Sequence, residues 1–171
     1  METKLEFILT NSHKAEMISY LKSHPEDFEE AIKLAVSNKQ PYSWRAAWLL
    51  WSCIDKNDKR VRKYSKKIID ALPTKKDNQQ RELLMILLRM ELNENLEEQL
   101  FDICMEIWKK VEKNPSLRYN ALKLLFRISK NHPDLSKKIK LLTEAPYIEM
   151  LSESVKKSIF RLTNETKTTS R

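Results

Sequence analysis

The sequence predicts an all-α chain, a short right-handed α-α superhelix of about four helix pairs. Three observations carry that class. The 171 residues contain no glycine. Six prolines and a set of asparagines divide the chain into amphipathic stretches of helical length. Apolar positions in successive stretches recur at a fixed step of 37 residues, as between Ala47 and Leu84.

The missing glycine excludes chemistry as well as structure. Average usage of about 7% would put roughly a dozen glycines in a chain of this size. Glycine supplies positive φ and close backbone approach. Without it the glycine-rich phosphate loops, dinucleotide fingerprints and G-x-S-x-G elbows do not occur, and tight two-residue hairpins are disfavoured. Helical proteins manage if asparagine takes the left-handed helix ends. No alternating apolar stretch competes as a strand.

Taken in order, residues 12–23 read as a first helix with Ala15, Ile18, Tyr20 and Leu21 as apolar candidates, ended by His24-Pro25. Pro25 suits a first helical turn, and Glu26, Asp27, Glu29 and Glu30 complement the dipole of a second helix. Phe28, Ile32, Ala35 and Val36 form its stripe, and Asn38 closes it. Pro41 then opens the helix densest in large apolar area. Trp44, Trp48 and Trp51 share one helical face there, beside Ala47, Leu50 and Ile54. This is expected to be the central core helix, with the tryptophans in the core. Their runner-up role is a partner or dimer patch.

Asp55 to Asp58 reads as a turn, with Asn57 at a helix end and Asp58 as the next N-cap. A helix over about 59–72 follows, with Val61, Tyr64, Ile68 and Leu72 on its buried stripe, and Pro73 stops it. Thr74 and Asp77 resemble a capping box for a helix of about 77–92 carrying Leu83, Leu84, Ile86, Leu87 and Leu88. Asn93 and Asn95 mark the next break, with Asn95 and Glu98 spaced for capping a helix of about 96–112. That helix carries Leu100, Phe101, Cys104, Ile107, Trp108 and Val111. Asn114-Pro115 precedes a helix over 116–130 with Ala121, Leu122, Leu124, Leu125 and Ile128. His132-Pro133 precedes one over about 134–144, and a last helix spans about 147–162. One domain, 1–163, is expected, with units about 12–40, 41–73, 77–112 and 115–146, and a frayed tail over 164–171.

The repeat is visible residue by residue. Pro41 and Pro115 lie 74 apart, two steps of 37. Ala47, Leu84 and Ala121 align, as do Leu50, Leu87 and Leu124, and Trp51, Leu88 and Leu125. In the partner helices Ile68, Met105 and Leu142 align. Arg81 and Arg118 correspond, with Trp44 in that place one unit earlier. A helix pair recurring at this spacing marks an α-solenoid. The chain resembles the HEAT/armadillo superfamily over about 41–146, and more loosely over 12–40. That resemblance implies an outer layer of first helices and an inner, concave layer of second helices that binds a protein segment or nucleic acid.

Charge is uneven. Residues 58–76 hold 8 basic and 2 acidic groups, residues 77–112 hold 4 and 9, and residues 113–171 hold 13 and 5. On the 59–72 helix, Lys59, Arg62, Lys63 and Lys66 share the face opposite Val61, Tyr64 and Ile68, flanked by Arg60 and Lys67. Lys137, Lys138 and Lys140 occupy the equivalent helix of a later unit. Glu94, Glu97, Glu98, Asp102 and Glu106 make the helix between them acidic. The expected function is therefore non-catalytic: a scaffold whose partly basic face, with Lys59, Arg62, Lys63, Lys66, Lys137 and Lys140 as contacts, meets an acidic protein segment. Nucleic acid is the alternative partner, although the acidic helix interrupts a phosphate track and no aromatics interleave the lysines. The competing account of the charge is a solvated face that maintains solubility.

Within the nucleic-acid alternative, HEAT-like repeats also build alkylpurine DNA glycosylases with Trp, Asp and Arg around the damaged nucleotide. The spacing of Trp51 and Asp55, and of Trp44 beside Arg45, resembles that cleft. It is the least favoured reading, since a lone indole–carboxylate pair is a weak signal.

Other chemistry is thin. Cys53 and Cys104 are expected as buried free thiols in a reducing compartment. His13, His24 and His132 are scattered, and no metal or cofactor is expected. The first ten residues lack a basic segment followed by a long apolar run, and no window approaches eighteen uninterrupted apolar residues. Neither a signal peptide nor a membrane span is expected, and the expected location is the cytoplasm. The oligomeric state is left open by the sequence.

Overall fold

The computed structural model describes residues 1–168, and the side chains of 1–165. Every regular element among them is helical. The chain divides into two compact units, Met1–Leu96 and the segment from Glu97 onward.

The first unit begins with a helix that the sequence reading leaves out, α1 (Lys4–Asn11). Thr3 accepts the Glu6 N–H while the Glu6 carboxylate accepts the Thr3 N–H, a complete capping box. Leu5 and Leu9 bury its inner face. α2 (Lys14–Ser23) buries Met17 and Leu21, whereas Ala15 is exposed. A 3-10 turn over Pro25–Asp27 leads into α3 (Phe28–Ala35), whose Phe28, Ile32 and Ala35 are buried as expected.

α4 (Tyr42–Cys53) is the central helix of this unit, packing against α1, α2 and α3 and against α7 (Asp77–Leu87). Its core residues are Ser43, Ala46, Ala47, Leu49 and Leu50. Trp44, Trp48 and Trp51 are only half-buried, which corrects their assignment to the core. Helix axes pack about 8–10 Å apart, so small side chains occupy the closest approach. At about 100° per residue, the tryptophan stripe lies roughly a quarter-turn around the helix from Ala47 and Leu50.

Asn57 ends the following turn in the left-handed region, with φ of 53°. It fills the place that glycine would take elsewhere. Asp58 caps the next helix, accepting the Arg60 N–H at 3.0 Å. That helix is not continuous over 59–72. It forms α5 (Lys59–Arg62) and α6 (Ser65–Ala71), broken at Lys63–Tyr64. Like charges at i and i+4, such as Lys59/Lys63 and Arg62/Lys66, work against one unbroken helix. Val61, Ile68 and Leu72 are buried, and Tyr64 is half-buried. Thr74 belongs to a 3-10 turn over Leu72–Thr74, and Lys76 precedes α7 without a side-chain cap, so the expected capping box does not form.

The added α1 also sharpens the repeat. The step of 37 carries Phe28, Ala31 and Ile32 onto Ser65, Ile68 and Ile69, all buried. α3 is thus the counterpart of α6, and α1 precedes it as the first helix of the leading unit. α2 is an extra helix between them.

α8 (Glu94–Lys109) runs from the end of the first unit into the second. Asn93, not Asn95, caps it through the Leu96 N–H at 3.0 Å. Leu100, Phe101, Cys104, Ile107 and Trp108 are buried, while Val111 lies beyond the helix and is exposed. Within the second unit α9 (Pro115–Ser129) buries Ala121, Leu122, Leu124, Leu125 and Ile128 and packs against α10 (Ser136–Leu142). The expected last helix is instead two: α11 (Ala145–Ile148) and α12 (Glu153–Thr168). α12 therefore covers 164–168, where the sequence suggests a tail, and 169–171 lie outside the described residues. No helix among the described residues is long and apolar enough to cross a membrane.

Candidate functional site

The predicted contact residues all reach solvent. Lys59, Arg62, Lys63 and Lys66 are exposed, but Lys59 and Arg62 lie on α5, Lys66 on α6 and Lys63 in the break between them, which removes the single register that would align them. Lys66 pairs with Asp70 at 2.7 Å. Arg62 donates to the Asn57 carbonyl at 3.3 Å, and the Lys63 ammonium stands 5.1 Å from the Tyr64 ring centre. The flanking Arg60 is structural: it forks onto Asp58 at 3.1 and 2.8 Å and covers the Phe28 ring at 4.0 Å. Its guanidinium holds the Asp58 carboxyl below the usual range. Lys137 and Lys140 are exposed on α10, one turn apart, in the second unit.

A different site emerges from the displaced tryptophans. α4 and α7, with the start of α2, enclose a cleft of about 580 Å³. Trp44, Trp48 and Trp51 line it, with Arg45 from α4 and Arg81 and Glu82 from α7. Trp48 and Trp51 meet edge to face, their centres 6.3 Å apart. Lys14 holds its ammonium 5.3 Å from the Trp48 ring centre, and the Arg45 guanidinium lies 5.4 Å from that of Trp44. The Trp51 indole N–H donates to the buried Glu82 carboxylate, which also takes Arg81 at 2.6 Å. Arg45 donates to the Leu9 carbonyl at 2.8 Å, and its buried Nε has no hydrogen-bond partner among the described residues.

Asp55 is not the carboxylate beside Trp51. It is exposed at the helix end, and its N–H donates to Asp58. Glu82, Lys14 and Arg81 were missed because they come from other helices. The one legible signal is the repeat itself, which puts Arg81 in register with Trp44.

The histidines of the two proline-led turns make structural contacts. His132 and Asn131 both reach Glu97, at 3.0 and 3.2 Å, tying the turn after α9 to α8 within the second unit. His24 stacks on Tyr20, whose hydroxyl donates to Asp27. Cys104 is buried, and burial pushes its thiol far up. Cys53 is half-buried and not fully enclosed as expected, with its thiol also raised by burial. Among the described residues no three His, Cys, Asp or Glu side chains converge as metal ligands.

A family model described as a HEAT repeat domain matches residues 1–166. No curated protein and no solved structure matches the chain.

Proposed function

Because the chain belongs to the HEAT repeat domain family, we propose that it is a non-catalytic binding or scaffold module that takes up an acidic protein segment. Helical repeats of this kind expose extended faces whose contacts are spread over successive units. The observation that supports an acidic partner is the solvent exposure of every predicted cation. Lys59, Lys137 and Lys140 in particular have no ion-pair partner among the described residues. The contacts proposed are Lys59, Arg62, Lys63 and Lys66 in one unit and Lys137 and Lys140 in the other. A reducing, cytoplasmic location belongs to the same proposal and suits the two free thiols.

The test is fluorescence anisotropy of a labelled decaglutamate peptide against the full chain, across about 50 to 200 mM salt. The expected result is binding that weakens with salt and is lost in Lys59→Glu/Lys63→Glu. Labelled duplex and single-stranded oligonucleotides run beside it. If they bind with the steep salt slope of phosphate contacts and the peptide does not, nucleic acid replaces protein as the partner. In that event base release from alkylated duplex, lost in Glu82→Gln, would identify a glycosylase, since Glu82 and not Asp55 meets the Trp51 indole.

A further inference from the structure

We propose that the cleft lined by Trp44, Trp48 and Trp51 is a docking pocket for an acidic peptide segment carrying one large apolar side chain. It is a second site, built from α2, α4 and α7 and separate from the lysines of α5 and α6. It rests on the binding-module reading but not on those lysines.

Three features select this occupant. The first is the aromatic wall. Tryptophan beside arginine is the composition of interface hot spots, where a ring offers large rigid area at little entropic cost. Here three tryptophans stay partly exposed on the unit's central helix, although the same helix fully buries Ala46, Ala47, Leu49 and Leu50. The second is shape. Trp48 and Trp51 stand edge to face on the cleft wall, the geometry in which a further apolar side chain would add to an aromatic pair. A cleft of about 580 Å³ holds such an anchor with its flanking backbone.

The third is charge. Lys14 and Arg45 border the cleft without a carboxylate partner among the described residues, and each cation instead lies over a tryptophan ring. Carboxylates flanking the anchor would meet both cations. A nucleic-acid strand fits less well. It needs a row of cations along successive phosphates, whereas of the three cations on this wall Arg81 is already paired with Glu82, leaving Lys14 and Arg45.

The experiment uses the full chain and a displayed random peptide library, followed by anisotropy of the enriched peptides. Enrichment should combine Asp or Glu with Phe, Trp or Leu at one position. Binding should weaken about tenfold or more in Trp48→Ala, the scale of a hot-spot residue. Lys14 is exposed, so Lys14→Glu reports on the cleft without disturbing the core, and a similar loss is expected there. Lys59→Glu/Lys63→Glu should leave this binding intact. Enriched peptides that bind Lys14→Glu and Trp48→Ala as tightly as the parent overturn the cleft, and loss confined to the Lys59→Glu/Lys63→Glu variant reassigns peptide binding to the basic helices. No enrichment, or a single-stranded oligonucleotide that displaces the peptide and itself depends on Trp48, also overturns a peptide occupant.

Discussion

Arg81 and Arg118 occupy the same place one repeat apart, yet their surroundings are opposite. Arg118 is buried in the second unit. Its Nε donates to the Trp108 carbonyl at 3.0 Å, its Nη2 to the Tyr147 carbonyl at 2.6 Å, and its guanidinium lies 4.4 Å from the Trp108 ring centre. Trp108 itself is 0% exposed and donates its indole N–H to Leu142 at 2.8 Å. Arg81, in the first unit, is half-exposed on the wall of an open cleft and pairs with its neighbour Glu82. One unit thus spends its tryptophan and arginine on its own core, while the other leaves the same pair of residue types facing solvent. A repeat sets where a side chain starts; what packs against it sets whether it stabilises the unit or stays available to a partner.

The largest expected effect tests that contrast through tryptophan. Trp108→Ala should cost about 3–5 kcal/mol, the range for emptying a large buried aromatic site. Trp48→Ala should cost less, about 2 kcal/mol, because part of its surface stays in water. Urea unfolding of the full chain, followed by far-UV and near-UV circular dichroism, measures both. Equal losses would abolish the distinction between the two units.

Arginine gives the next test. Arg118→Met strips charge-assisted donors from two carbonyls and should destabilise by about 2–3 kcal/mol. Arg81→Met removes a partly solvated ion pair and should cost less than about 1 kcal/mol in the same unfolding assay.

A smaller effect comes from the carboxylates of the first unit. The Arg60 guanidinium holds Asp58 low, and the Lys39 ammonium does the same for Glu6. A carboxylate depressed on folding contributes stability above its unfolded pKa and loses it as pH falls through the folded value. The first unit should therefore weaken as pH drops below about 4, the ordinary carboxylate range. Asp58→Ala should remove about 1 kcal/mol at neutral pH, the usual value of an N-cap, and flatten part of that acid limb. An unchanged acid limb in thermal melts of Asp58→Ala would assign the loss elsewhere.

The least perturbing comparison is chemical. Half-buried Cys53 should react slowly with a thiol reagent in the native chain, and buried Cys104 only on unfolding, since burial raises both thiols. Mass spectrometry of pulse-labelled protein in rising urea would show which unit opens first.

Much of the fold was legible because helices obey local rules. The helices at 42–53 and 115–129 follow from apolar period and proline punctuation, the one expected over 77–92 forms but ends at Leu87, and Asn57 and Asp58 take their predicted turn roles. Errors concentrate at weak local signals. α1 is short and begins at a threonine cap, and the apolar stripe over 59–72 runs through Lys63–Tyr64, where the helix breaks. The candidate site was less legible still. The i, i+4 spacing suggested Asp55 for Trp51, but the carboxylate that arrives comes from α7, thirty-one residues along the chain.

By itself the sequence determined an all-helical repeat chain, its step of 37 and the stretches that carry charge, because propensity, capping and period act within a few residues of one another. Only the tertiary structure decided which aromatic residues are core. Ala46 and Ala47 outcompete the tryptophans for the centre of the first unit, since helices at close approach leave room for small side chains and turn large ones aside. That choice depends on what neighbouring helices bring to the contact, and no window of sequence contains it.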